Sequence, residues 1–256
     1  MNFIVTTTNN HQEELAPIAH CWAMALQKPC VARKEGNINS LMRKYRVPAV
    51  LVATITGPKV YSAGGKFFYH PSMAQLRLEN IKNGGTDHLV EAMNLQEGMR
   101  VLDCTLGLAS DAAVASFVVG NRGKVVGLEY SDLIAFTVAR GLGEYVAKDA
   151  DFTDALKRIN VICADAQNYL ATCQEKFDVV YFDPMFETPV QESSNMQPLR
   201  ELACDKPITK EMVDAALKIA PRVVIKERYI KYLRLLGCQE ICGGKYSTVK
   251  YGVRTR

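Results

Sequence analysis

Between residues 100 and 183, four acidic side chains each close or follow a short apolar run. Asp103 lies in Arg100 to Cys104, Glu129 ends Lys124 to Glu129, Asp165 follows Asn160 to Cys163, and Asp183 follows Phe177 to Phe182. Carboxylates of this kind accept hydrogen bonds from hydroxyl or amino groups. Asp183 also opens Asp183-Pro184-Met185-Phe186, in which Pro184 fixes the backbone and Phe186 offers a ring on which a planar base could stack. Read singly, each acid has a plainer role: a strand-end acid on a turn, an N-cap at Asp165, or, for Asp111, an acid in a first helical turn. Read together, four acids ending four parallel strands would line one edge of an open sheet, where ligands bind.

The turn Val101-Leu102-Asp103-Cys104-Thr105-Leu106-Gly107-Leu108-Ala109-Ser110-Asp111 leads from strand to helix. It carries neither the Gly-x-Gly-x-x-Gly fingerprint nor the Gly-Lys-Ser/Thr ending of a phosphate loop, so a diphosphate ligand is disfavoured. Glu129 stands 26 positions after Asp103, where an acid grips both ribose hydroxyls of a nucleoside. Asp165 is placed to accept from an adenine amino group, with Ala166 leaving room for the ring. A nucleoside without phosphates, carrying a methyl sulfonium, suits such a crevice, and S-adenosylmethionine is the inferred cofactor. Asp103, Thr105 and Gly107 are the residues of the turn expected to line it.

The elements that must position these groups alternate β-branched runs with amphipathic stretches, as in βαβ units. Strands are expected over Arg100 to Cys104, Lys124 to Glu129, Asn160 to Cys163 and Phe177 to Phe182. Helices are expected over Ser110 to Val119, Asp132 to about Val146, and Ala166 to Cys173. Glu187 to Lys206 reads as a substrate-contacting loop. A helix from Thr209 to Ile219 precedes a fifth strand, Arg222 to Lys226. The pattern around Gly243-Gly244 reads as a hairpin between Gln239 to Cys242 and Tyr246 to Val249. Before this core, Phe3 to Thr8, Ala49 to Ala53 and Lys59 to Ser62 read as strands and Glu13 to Gln27 as a helix. Residues 1–68 are therefore expected to form a small α/β domain and 69–256 the main domain, with helical material from Met73 to Met93 between them.

A chain of 256 residues with 48% hydrophobic and 23% charged residues is ordinary for a globular protein. No apolar run of 18 or more residues and no leader pattern is present, so a cytoplasmic protein without a membrane partner is expected. The eight cysteines include no Cys-x-x-Cys pair. Buried free thiols are expected in place of disulfides, and no metal site. The net charge of +4 is unevenly spread. From Pro221 to Arg256, nine basic residues face only Glu227 and Glu240, a segment that could meet phosphates or form a solvated basic face. Oligomeric state is not legible.

Three blocks carry a likeness to a known family: Leu102 to Ala112, Phe182-Asp183-Pro184-Met185-Phe186, and Arg222-Val223-Val224-Ile225-Lys226-Glu227-Arg228. The chain resembles the class I S-adenosylmethionine-dependent methyltransferases, and within them the bacterial small-subunit ribosomal RNA guanine-N2 methyltransferases. The resemblance spans about residues 75 to 256. It implies a doubly wound, mostly parallel, seven-stranded Rossmann-like sheet. It also implies cofactor contacts at Ser110, Asp111, Glu129, Tyr130, Asp165, Ala166 and Asp183. The family pattern Gly-Leu-Gly-Arg-Asp becomes Gly107-Leu108-Ala109-Ser110-Asp111 here. Ala109 is expected to avoid positive φ, shifting the turn slightly, and the absent arginine bears on the substrate more than on the cofactor.

The chemistry implied is in-line methyl transfer, in which the protein's task is alignment in a dry pocket. Asp183 would accept an N–H from a guanine amine, with Pro184 and Phe186 completing the catalytic motif and Phe186 stacking a flipped base. Lys226 and Arg228, after the fifth strand, would hold phosphate or the purine carbonyl. Arg77, Lys82 and Gly84-Gly85 suggest a further RNA contact. Three alternatives stand beside this: a methyltransferase for a protein or metabolite, a catalytically silent RNA-binding module, and a dehydrogenase, which the missing glycine fingerprint disfavours.

Overall fold

The computed structural model describes residues 2–33, 37–184, 202 and 206–256. These divide into two compact units, one of residues 2–33, 37–70, 131–144 and 202, the other of residues 71–130, 145–184 and 206–256.

The first unit holds a four-stranded sheet in the order β1 (Phe3–Thr7), β2 (Ala49–Thr54), β3 (Gly57–Ser62), β4 (Gly65–Phe67). β1 and β2 run parallel, joined through helices α1 (Gln12–Leu26) and α2 (Ile38–Tyr45), and the remaining pairs are antiparallel. α2 and β4 escaped the sequence reading. Helix α6 (Asp132–Glu144), read from sequence as a crossover of the main sheet, groups with this unit. There Phe136 meets the Trp22 ring edge-on at 5.5 Å.

The second unit is a seven-stranded sheet. Its chain-ordered elements are α3 (Ser72–Lys82), α4 (His88–Met93), β5 (Arg100–Asp103), α5 (Ser110–Val119), β6 (Lys124–Glu129), α7 (Ala150–Lys157), β7 (Ile159–Cys163), α8 (Ala166–Thr172) and β8 (Val179–Phe182), followed by β9 (Arg222–Glu227), β10 (Glu240–Cys242) and β11 (Lys250–Thr255). The spatial order is β10-β11-β9-β8-β5-β6-β7. β9, β8, β5, β6 and β7 pair in parallel, and β11 runs against both β9 and β10. The expected doubly wound, mostly parallel seven-stranded fold is thus present. Central strands covered on both faces need continuous apolar runs. β8, Val-Val-Tyr-Phe, is buried at every position, and Leu102, Val126, Val180, Phe182, Val223 and Ile225 share one core with helix residues Val213, Ala216 and Leu233.

Three local expectations are corrected. The carboxyl-terminal hairpin does not turn at Gly243-Gly244, because its second strand begins only at Lys250, leaving residues 243–249 as the connection. Helices at Ala150–Lys157 and Ile230–Leu235 were not foreseen. Ala109 takes φ 58°, ψ 22° at the start of α5, so the turn keeps the left-handed shape that a glycine would favour and the alanine bears the strain. Among the described cysteines, Cys104 and Cys238 are buried, whereas Cys21, Cys30 and Cys163 are exposed; all are free. No His, Cys, Asp and Glu cluster suited to a metal occurs among the described residues. No described helix is long and apolar enough to cross a membrane.

Candidate active site

Chain order reverses at β5, whose neighbours are β6 on one side and β8 on the other. Such a switch point opens a crevice at the carboxyl ends of the strands. Across β7, β6, β5 and β8, neighbours in that order, these ends carry Asp165, Glu129, Asp103 and Asp183. The four acids predicted to share an edge do share it.

The β5 turn is fastened to both neighbours. Glu129 Oε2 accepts the Gly107 N–H at 3.1 Å, and Gly107 sits at φ 49°. Gly127 in β6 is required by packing, since a Cβ there would lie 2.3 Å from Leu106 Cδ1. Asp103 Oδ1 accepts from the Thr105 N–H at 2.9 Å. The Thr105 hydroxyl accepts the Asp183 N–H at 2.6 Å, so one side chain joins the ends of β5 and β8. Burial pushes the Asp103 carboxyl up to about 8, despite the Thr105 N–H, with the charges of Asp111 and Asp183 adding to the rise.

Asp111 is the centre of a buried polar network that the sequence did not reveal. It accepts from Tyr181 Oη at 2.7 Å, from Lys226 Nζ at 3.1 Å and from the Arg77 guanidinium. Arg77 also grips Asp87 with two hydrogen bonds, at 2.7 and 2.9 Å, while Asp87 caps α4 by accepting from the Leu89 and Val90 amides. Burial opposes the charge on Asp111, but Lys226 and Arg77 outweigh it and hold this carboxyl well below the usual range. Asp183 goes the other way. Burial and the repulsion of Asp111 raise it, even though Lys226 Nζ lies 2.7 Å from its Oδ2.

Several candidate residues find partners inside the protein. Lys226, expected to hold RNA phosphate or a purine carbonyl, gives its ammonium to Asp183 and Asp111. Its position on β9, next to β8, sets it between the buried Asp111 and the half-buried Asp183. Arg77 and Lys82, read as an RNA contact, pair with Asp87 and Asp111, and with Asp149 and Asp151. Arg228 is half-buried after β9, its amide donating to Glu227 Oε1 at 2.6 Å. Asp165 accepts from Asn168 N at 3.0 Å as the cap of α8 and from Lys206 Nζ at 2.7 Å. Lys206 Nζ also lies 5.2 Å from the ring centroid of the exposed Tyr130. Ser110 and Ala166 open α5 and α8, both half-buried. Pro184 follows Asp183 directly. Phe186 and nearly all of the loop from Glu187 lie outside the described residues.

A doubly wound sheet in this order, with an acid-lined edge and no diphosphate cradle, is the architecture of a class I S-adenosylmethionine-dependent methyltransferase. Residues 68–245 match the family described as putative SAM-dependent methyltransferases, and the chain belongs to that family. Its methyl donor is S-adenosylmethionine. An uncharacterized protein of Bacillus subtilis, YpiP, is 32% identical over 228 residues, covering 88% of this chain and 89% of that one. The ribosomal RNA small subunit methyltransferase J of Coxiella burnetii is 34% identical over 188 residues, covering 70% of each. A SAM-dependent methyltransferase structure from Neisseria gonorrhoeae has the same fold, with TM-score 0.67 at 18% identity over 98% of this chain and 95% of that one.

Proposed function

We propose that this methyltransferase modifies the exocyclic amine of a guanine in small-subunit ribosomal RNA, acting in the cytoplasm. The observation that carries this reading is the placement of Asp183 at the end of β8. Its backbone is anchored to Thr105 and its carboxylate is held by Lys226, in a crevice whose other acids suit an uncharged nucleoside. The similarity to an enzyme named as a small-subunit ribosomal RNA methyltransferase supports RNA as the acceptor.

The donor set fits the cofactor. Glu129 would take the ribose hydroxyls, with Tyr130 beside it. Asp165 and Ala166 would receive the adenine. Asp103, Thr105, Gly107, Ser110 and Asp111 would surround the methionine portion, where carboxylates complement its positive charges. When bound, S-adenosylmethionine supplies an electrophilic methyl carbon on a cationic sulfur.

Asp183 does the work on the acceptor side. A guanine amine delocalises its lone pair into the ring, so it attacks poorly unless held. The Asp183 carboxylate accepts one N–H hydrogen bond, turns the lone pair toward the methyl, and stabilises the positive charge growing on nitrogen. Lys226 fixes the carboxylate in place by holding its other oxygen. Pro184 sets the chain direction after it, and Phe186 would stack the base.

The test is methyl transfer from labelled S-adenosylmethionine to small-subunit RNA that lacks its methylations, with nucleoside mass spectrometry of the product. Label in N2-methylguanosine is expected. Label confined to protein or small molecules would transfer the acceptor assignment to those classes.

A further inference from the structure

The first unit carries a surface whose chemistry the methyl-transfer site does not use. Residues 37–70 contain five basic residues, Arg43, Lys44, Arg46, Lys59 and Lys66, and no acid. Among the described residues none of the five lies within ion-pair distance of a carboxylate, in contrast to Arg77, Lys82, Lys206 and Lys226. Cations left together without counter-charges repel one another, and a polyanion removes that cost.

Sheet register puts part of this charge on one face. Lys59 pairs with Val52, and Lys66 with Tyr61, which in turn pairs with Val50. Directly paired residues share a side of the sheet, so Lys59, Tyr61 and Lys66 face the same way as Val50 and Val52. Helix α2 covers Val50 and Val52 with Ile38, Leu41 and Met42. Directly after β4 stands Phe68, 40% exposed. The Lys66 ammonium lies 5.4 Å from the Phe68 ring centroid and that of Lys59 lies 6.0 Å from it. Arg43, Lys44 and Arg46 are exposed at the carboxyl end of α2, where Lys44 flanks the Tyr45 ring at 5.3 Å.

We propose that this face of the first unit is an RNA-binding platform, on which an unpaired base stacks on Phe68 while Lys59 and Lys66 hold the flanking phosphates. An exposed aromatic between two cations is what a single-stranded segment needs, since stacking serves any base and the cations track the backbone. A second protein would require an apolar centre larger than one phenyl ring. The choice of RNA rests on the proposed function, and the surface itself rests on the geometry above.

The test uses the full chain and a fluorescein-labelled, unmodified RNA stem-loop of small-subunit sequence, titrated over a range of salt. Lys59→Gln with Lys66→Gln is expected to weaken binding at least about tenfold and to flatten the salt dependence by one to two released counterions, about 0.7 to 0.9 in slope each. Phe68→Ala is expected to weaken binding by about tenfold and Phe68→Tyr to restore it. Unchanged S-adenosylhomocysteine affinity and melting temperature identify variants that remain folded. Folded variants that bind RNA as the wild type does would overturn the platform, even if the wild type methylates RNA. Loss of heparin and RNA binding alike, with Phe68→Ala silent, would overturn the assignment to RNA in favour of a generic polyanion. If the wild type binds through this face yet labels no ribosomal RNA, the platform stands and the methyl acceptor proposed above falls.

Discussion

Lys226 Nζ stands 2.7 Å from Asp183 Oδ2 and 3.1 Å from Asp111 Oδ2, so one ammonium from β9 serves two carboxylates of opposite tendency. Asp111 is held ionised, whereas Asp183 is raised toward neutrality. Replacing Asp183 by Asn keeps the shape, removes the negative charge and turns one of the two acceptor oxygens into a donor. It should lower kcat for RNA methylation at least about a hundredfold and leave S-adenosylhomocysteine affinity within a few fold. Single-turnover assays beside calorimetry make the comparison.

Lys226→Met leaves both carboxylates without their shared cation. Removing one partner of a fully buried pair costs about 3–5 kcal/mol; with Lys226 and Asp183 only half-buried a smaller loss, readable in urea unfolding at pH 7, is expected. Lys226→Arg, which keeps the charge, should recover most of that stability.

The rise in Asp183, to about 6, sets an acid limb for activity. In its proposed role the carboxylate must be ionised to accept the amine N–H hydrogen bond, so kcat/KM for RNA should fall about tenfold per unit as pH drops below about 6. Removing the Lys226 charge moves that limb upward, and a pH–rate profile of Lys226→Met that coincides with the wild type would contradict the assignment.

Asp103, raised to about 8, holds a proton at pH 7 that it would not hold unfolded. Between the usual carboxylate range and about pH 8 the folded state therefore binds more protons than the unfolded chain, and stability declines as pH rises through that window. Asp103→Asn should flatten this decline. A cationic ligand arriving beside Asp103 favours its ionised form. S-adenosylmethionine binding at pH 7 should then release up to about one proton, seen as a buffer-dependent enthalpy in calorimetry and lost in Asp103→Asn.

Ala109 at φ 58° carries a left-handed backbone on a residue with a Cβ. Ala109→Gly relieves that strain, roughly 1–2 kcal/mol, against roughly 0.4–1 kcal/mol of added chain entropy in the unfolded state. The net expectation is a stabilisation of up to about 1.6 kcal/mol in thermal unfolding, with the cofactor site intact.

The acid-ended strands were legible because both signals are local: a β-branched run marks the strand and the next polar residue marks its end. Asp103, Glu129, Asp165 and Asp183 could be placed on one edge from that pattern alone. The partners of Asp111 could not. Arg77, Tyr181 and Lys226 lie 34, 70 and 115 residues away in sequence, and no local pattern encodes such a meeting. The bonding within the basic carboxyl-terminal segment was hidden for the same reason. Several of its cations serve the fold: Arg222 donates to Ala92 O, Arg254 pairs with Asp214, and Arg256 donates to Leu217 O. Gly243-Gly244 looked like a two-residue turn because strand propensity in Tyr246 to Val249 begins before the pairing does.

Asp87, Arg77, Asp111, Lys226 and Asp183 form a file of alternating sign with an acid at each end. Its three negative and two positive members sum to one net negative charge. In the proposed site a ligand bearing positive charge on sulfur would complete the alternation, and the same ligand without its methyl group is neutral at that atom. With the donor so placed, that attraction would lapse when the methyl departs, and the file would favour exchange of spent cofactor for fresh. High ionic strength, which screens that preference, should narrow the gap in affinity between the two.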